Sequence, residues 1–117
     1  MRDDLIFHVT TDEYFSAHKS FNNYKPETLD TKGYIDCSKG SQIEETANRI
    51  FSGENELLLL IIDLSTLSAE VKYETDRQTS EKFPHIYGPL NMDAVMDKFT
   101  IHAEEDGKFK IAFSSGT

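Results

Sequence analysis

The apolar positions of this chain fall into short blocks whose spacing switches between a period of two and a period of three to four residues. Leu5-Ile6-Phe7-His8-Val9 is an almost continuous apolar run, of the length of a buried strand. Thr10-Thr11-Asp12-Glu13 comes next with the spacing of a capping box, which predicts a helix over about 11–19. Asn22 to Lys32 is polar, contains Lys25-Pro26 and reads as a loop. Gly33-Tyr34-Ile35-Asp36-Cys37-Ser38 alternates between faces as a second strand. A second capping box, Ser41-Gln42-Ile43-Glu44, opens a helix whose Ile43, Ala47, Ile50 and Phe51 form one apolar stripe, stopped near Gly53.

Leu57 to Leu64 is the clearest strand of the chain: its continuous apolar character predicts burial on both faces. Glu70-Val71-Lys72-Tyr73-Glu74 alternates as a further strand. Thr75 to Lys82 is polar, either a lid over the His85 segment or an exposed loop. Phe83-Pro84-His85-Ile86-Tyr87-Gly88-Pro89-Leu90 then combines two prolines, which fix φ, with a glycine, which frees it. Such a segment holds His85 and Tyr87 in set directions, useful for facing a ligand or for turning the chain sharply. Near the end, Phe99, Ile101 and Ala103 alternate, as do Phe109, Ile111 and Phe113, around an Asp-Gly step: a predicted hairpin over about 98–113. The order β-α-β-α, and then mostly β, predicts one α+β domain over residues 1–117, with two or three helices against a largely antiparallel sheet.

Composition narrows the function. The chain of 117 residues has room for a single core. Its formal charge is −9, with 21 Asp and Glu against 12 Lys and Arg, and its arginines are Arg2, Arg49 and Arg77. A broad basic face is excluded, and with it tight counterion-release binding to DNA or RNA. A local anion site is not excluded. The single cysteine, Cys37, rules out an internal disulfide and fits a reducing compartment. The acidic start and the short Leu57–Ile62 run, against the ~20 apolar residues a membrane span needs, predict a cytoplasmic protein without membrane contact.

Candidate chemistry centres on a few side chains. His8 lies mid-strand among apolar neighbours, where a histidine either serves a ligand or is satisfied by a backbone carbonyl. Strand alternation sends Asp36 and Ser38 to one face and Cys37 to the other, beside Ile35, as a packed thiol. His8, Asp36 and His85 share no helix or hairpin spacing, so no metal motif is present in the sequence. His18 and His102 read as surface or edge residues.

Phe7-His8-Val9-Thr10-Thr11, Gly33 to Ser38, Ala47-Asn48-Arg49-Ile50-Phe51, the strand ending in Asp63, and Phe83 to Leu90 together resemble the small proteins of domain-of-unknown-function family 952. The resemblance covers about residues 5–100. That layout in turn resembles the ADP-ribosyltransferase fold and, within it, the RNA 2'-phosphotransferases. His8-Val9-Thr10 matches their His-x-Thr strand. Gly33 to Ser38 matches their second strand in outline, with Asp36 where those proteins carry histidine.

The resemblance implies a twisted, split sheet and a cleft for NAD, ADP-ribose or a related nucleotide. In it His8, Asp36 and His85 would act as the catalytic or polar centre, with Thr10, Tyr34, Ser38, Arg49, Glu74 and Tyr87 around the ligand. Ribosyl transfer or glycohydrolysis at a nicotinamide–ribose bond needs a carboxylate to stabilise cationic charge on the ribose, and Asp36 or Glu74 would supply it. Asp36 accepts but does not donate, so it suits ribose hydroxyls and repels phosphate. Together with the few arginines, this argues against RNA 2'-phosphate transfer. The alternative is a non-catalytic small-molecule-binding or accessory module on the same fold, and the third reading is that His8, His85 and Tyr87 brace the core. Oligomeric state is not legible.

Overall fold

Two three-stranded sheets, joined by one short seam, carry the whole arrangement. A computed structural model describes residues 4–111. In chain order the elements are β1 (Leu5–Thr10), α1 (Asp12–His18), β2 (Asn23–Tyr24), α2 (Thr28–Thr31), β3 (Ile35–Asp36) and α3 (Ile43–Ile50). They continue as β4 (Glu56–Asp63), β5 (Glu70–Thr75), β6 (Lys82–Tyr87), β7 (Leu90–Asn91) and β8 (Val95–His102), with a 3-10 turn over Met92–Ala94. The first sheet has the order β1-β4-β8 and the second β3-β6-β5, while β2 and β7 form a small ribbon. Every pairing is antiparallel, so the fold is α+β, as the element order predicts.

The continuous apolar run of β4 has the expected cause: it is the central strand, covered on both faces. Leu58, Leu60 and Ile62 join Ile6, Phe15, Tyr24, Ile35, Cys37, Ile86 and Leu90 in one core. Leu57 and Leu59 turn the other way, to Phe7, Val9, Ile43, Ala47 and Phe109 in a second core. The same alternation in β1 sends Phe7 and Val9 to the α3 side. His8 and Thr10 are left beside Ile6 on the side that faces the second sheet. Among the described residues no helix is long and apolar enough to cross a membrane.

Several expectations need correction. The first cap falls one residue later: Thr11 is the N-cap and accepts from the Tyr14 backbone N at 3.1 Å, so Glu13 is not the reciprocal partner. The second box does not form, because Gln42 occupies the cap position without a side-chain cap bond. Its side chain instead accepts from the Lys39 backbone N at 2.9 Å and donates to the Lys82 carbonyl at 2.9 Å, tying α3 to β6. The stretch 22–32 is not a plain loop but contains β2 and α2. Ile50 is 55% exposed rather than part of the core stripe.

Phe83 to Tyr87 is a central strand, not a turn. Pro84 is tolerated there because its carbonyl faces Cys37, whose N–H donates at 3.0 Å. The N–H and carbonyl of one residue leave an extended strand on the same side. The donor that Pro84 lacks is therefore missing next to the short β3, not from the long β5 ladder. Gly88 comes next with φ 155°, and a Cβ there would sit 3.0 Å from that of Ala69, so the turn from β6 to β7 requires glycine.

The C-terminal hairpin is also different. The Glu104–Lys108 turn forms, but the residues after it form no second strand as far as Ile111, and Phe113 lies outside the described residues. The backbone of Phe109 is clamped by Asn48 of α3, which accepts from its N–H at 2.7 Å and donates to its carbonyl at 3.0 Å. The Phe109 ring, 1% exposed, closes the second core. Asn48→Ala should strip both bonds and cost roughly 1–3 kcal/mol. The expected readout is a melting temperature lower by about 4–10 °C together with faster amide exchange at Phe109. Unchanged exchange there would refute the clamp.

Candidate functional site

Among the described residues the two sheets are joined through their backbones at one place. Phe7 and Ser38 exchange backbone hydrogen bonds of 2.9 and 2.7 Å, and this single bridge joins the free edge of β1 to the segment after β3. Beyond it the strands diverge, and a cleft of about 800 Å3 lies beside the seam. Of the residues expected at a site, His8, Thr10, Tyr34, Asp36, Ser38, Arg49 and His85 all line it. Glu74 and Tyr87 do not. They stand behind His85 and act on the cleft through it.

His8 bridges the two sheets. Its Nδ1–H donates to the Asp36 carbonyl at 2.6 Å, and its Nε2 accepts from the Tyr24 hydroxyl at 3.1 Å. Both ring nitrogens are thus occupied, which assigns the Nδ1–H tautomer from the network. Burial holds the imidazole below its ordinary pKa, against a smaller opposing pull from the Asp36 carbonyl and carboxylate. Burial also pushes the Tyr24 phenol well up, so Tyr24 stays a donor. The backbone-satisfied histidine and the cleft histidine turn out to be the same residue.

A second network lies on the polar face of β3, β6 and β5. The His85 Nδ1–H donates to Glu74 Oε1 at 2.7 Å, and the Tyr87 hydroxyl donates to the same oxygen at 2.5 Å. On the other side of the ring, His85 Nε2 stands 3.7 Å from Asp36 Oδ1. Lys32 Nζ donates to Asp36 Oδ2 at 2.9 Å. The Tyr34 ring stacks on the imidazole at 4.0 Å and 14°. Hydrogen bonds from Tyr87 and then His85 hold Glu74 below the usual carboxylate range, and Glu74 in return pushes the Tyr87 phenol up to about 12. The result is an imidazole fixed between two carboxylates, with one flat face against an aromatic ring.

Ser38 is buried and donates to the Thr46 hydroxyl at 3.2 Å. Cys37 packs in the core with Ile35, as alternation predicts, and burial raises its thiol pKa well above the ordinary value. It is a packing group, not a nucleophile. Among the described residues no three His, Cys, Asp or Glu side chains are grouped to hold a metal ion.

Sequence reasoning missed Lys32, Tyr24, Thr46 and Arg77, all of which line the cleft. Tyr24 and Lys32 come from the stretch read as a loop, where no periodicity marks an inward residue. Arg77 had a signal: it is one of three arginines and lies in the polar segment before His85. That segment, residues 76–81, joins β5 to β6, and Asp76, Arg77 and Gln78 border the cleft together with Thr75 at the end of β5.

The comparisons bear on this architecture. A family model described as a protein of unknown function (DUF952) matches residues 9–98. The chain belongs to that family. Family membership agrees with the resemblance of the sequence blocks and by itself assigns no activity. Protein CC0527 from Caulobacter crescentus, in its crystal structure, is 28% identical, with a TM-score of 0.79 over 91% of this chain and 93% of that one. The solution NMR structure of CC0527 gives 28% identity and a TM-score of 0.75 over 90% of each chain. No curated protein matches the chain.

The His8 network sets a pH dependence. A group whose pKa is lowered by folding binds fewer protons in the folded state. Its stabilisation is therefore present above its ordinary value of 6.5 and is lost as pH falls below that through the folded value. The melting temperature should fall as pH drops from 7 towards 5, and His8→Asn, which keeps a donor without titrating, should flatten that slope. Long-range 1H–15N spectra should show neutral His8 protonated on Nδ1, with a titration midpoint below the ordinary value of 6.5. A midpoint at or above 6.5 would contradict the buried network.

Proposed function

We propose that the cleft binds a small nucleotide-like molecule, with NAD, ADP-ribose and close relatives as the leading class. The observation that carries this reading is the convergence of two kinds of surface in one cleft. A polar side is formed by Thr10, Asp36 and Ser38 beside the fully partnered His8, and a flat aromatic wall by Tyr34 stacked on His85. A sugar with vicinal hydroxyls and an attached planar ring needs those two surfaces side by side. Asp36, half exposed, presents carboxylate lone pairs that accept from ribose hydroxyls. Tyr34 offers the flat face on which a base or a nicotinamide stacks.

The finer fold assignment belongs to the same proposal. Two antiparallel sheets that part beside a strand carrying His8-Val9-Thr10, with Gly33 to Ser38 opposite, support reading the fold as ADP-ribosyltransferase-like. This supports a nucleotide cleft more strongly than it supports a reaction, because one fold hosts many functions.

One observation favours binding over turnover. Both ring nitrogens of His8 are engaged, Glu74 is committed to Tyr87 and His85 and does not line the cleft, and Asp36 is held by Lys32. The carboxylate that would face a ribose cation is therefore Asp36, already neutralised by a lysine. We read the protein as a small-molecule-binding module of a reducing, aqueous compartment. Glycohydrolase activity is the second reading, with Asp36 as its stabilising group.

The test is a melting series with ADP-ribose, NAD, nicotinamide and adenosine. A ligand at 100 times its Kd adds about 2.7 kcal/mol to stability, a rise on the order of 10 °C for a domain of this size. Tyr34→Ala should weaken binding by about 3–10-fold, from the loss of one stacking contact. If none of the four ligands moves the melting temperature at millimolar concentration, the nucleotide reading is wrong. Release of nicotinamide from NAD, abolished by Asp36→Asn, would promote the second reading.

A further inference from the structure

The cleft inverts the charge balance of the chain around it. Acidic residues outnumber basic ones by 21 to 12 in the sequence. The cleft, in contrast, is lined by Lys32, Arg49 and Arg77 against two carboxylates, Asp36 and Asp76. Those groups are not equally available. Lys32 is taken by Asp36 at 2.9 Å. Asp76 turns Oδ2 back on its own loop, where it accepts from the Thr79 backbone N and hydroxyl at 3.1 Å each.

The two arginines are left over. Arg49 Nη1 donates to the neutral Gln78 Oε1 at 3.3 Å, and among the described residues no carboxylate pairs with either Arg49 or Arg77. An exposed arginine is most often a solvated side chain with nothing to do. Two details separate this pair from that default. They are both of the arginines that the structure describes, and they come from different elements, the last turn of α3 and the 76–81 loop. The Arg49–Gln78 contact holds that loop against the helix end, and both arginines line the same cleft. Thr46, one turn before Arg49 on α3, adds a hydroxyl to the same wall.

A guanidinium without a carboxylate partner matches phosphate oxygens in bidentate geometry better than any other side chain. We propose that the junction of α3 and the 76–81 loop is an anion subsite that takes the phosphate or diphosphate of a phosphorylated ligand. It makes the cleft select phosphorylated ligands over the neutral nucleoside. This rests on the reading of the cleft as a ligand site and adds which end of the ligand goes where. The ring lies against Tyr34 and His85, and the phosphate lies between Arg49 and Arg77.

The experiment tracks the Nε–Hε signals of Arg49 and Arg77 by NMR during titration with inorganic pyrophosphate, ADP-ribose and adenosine, on wild type and on Arg49→Gln/Arg77→Gln. Both positions are exposed, and a melting curve checks that the double variant is folded. The expected result has three parts. Pyrophosphate and ADP-ribose shift both arginine signals, ADP-ribose binds at least 10-fold tighter than adenosine, and the double variant loses that preference while adenosine affinity is unchanged. Binding of ADP-ribose should also weaken as salt rises, as screening of exposed charges demands. If ADP-ribose and adenosine bind alike, or if the preference survives in the double variant, the anion subsite is overturned and the nucleotide cleft stands. If pyrophosphate shifts both arginines while neither ADP-ribose nor adenosine binds, the subsite stands and the nucleotide reading falls. If nothing binds, both fall.

Discussion

The seam between β1 and the segment after β3 is the constraint on which the rest depends. It is only one bridge wide: two backbone bonds between Phe7 and Ser38, reinforced by the 2.6 Å bond from His8 Nδ1–H to the Asp36 carbonyl. An unpaired strand edge must be covered, paired or solvated. Here β1 is paired on one side by β4 along its full length, and on the other it is paired once and then left open. The open part is the cleft. Had the pairing continued, there would be one six-stranded sheet and no concavity beside His8.

That geometry explains why the polar groups of the site are so fully partnered. A histidine buried between two sheets is tolerated only if both nitrogens find partners, and the Asp36 carbonyl and Tyr24 hydroxyl provide them. The cost of burial keeps the ring neutral, so His8 is a rigid donor–acceptor strut that joins the sheets. His85, on the second sheet, is held instead by carboxylates and a stacked ring. One histidine is tied mainly to backbone and core, the other to charges at the rim. A cleft with a fixed floor and an ionic rim is suited to orienting a ligand.

The parts of this architecture that were legible in the sequence are those governed by local rules. Leu57 to Leu64 had to be a strand buried on both faces, because no other element accepts so many consecutive aliphatic residues in so short a run. The alternation of Asp36, Cys37 and Ser38 gave the inward thiol. The same rules failed where a side chain had a better distant partner. Gln42 left its expected cap to hold Lys82, and Asn48, unremarkable in a helix, became the clamp on Phe109. Phe83 to Tyr87, in a stretch whose prolines and glycine suited either facing a ligand or turning the chain, is a strand. Pro84 sits where the neighbouring strand is too short to need a donor.

The sequence by itself determined the main strands and helices, the acidic balance and most of the side chains with chemistry, since each depends on neighbours a few positions away; it predicted a single core, and the division of that core into two clusters on either side of β4 came only with the fold. It also placed the chain in its family through blocks whose residues could be read directly. Only the tertiary structure decided which of those side chains meet. The bridge of Phe7 to Ser38 and the pairing of β3 with β6 bring positions 8, 36 and 85 together, and no periodicity within any one segment encodes that register. Arg49 and Gln78 are 29 positions apart and belong to elements with no local reason to touch. Their contact depends on where the β5–β6 hairpin ends relative to α3, and long-range packing sets that distance.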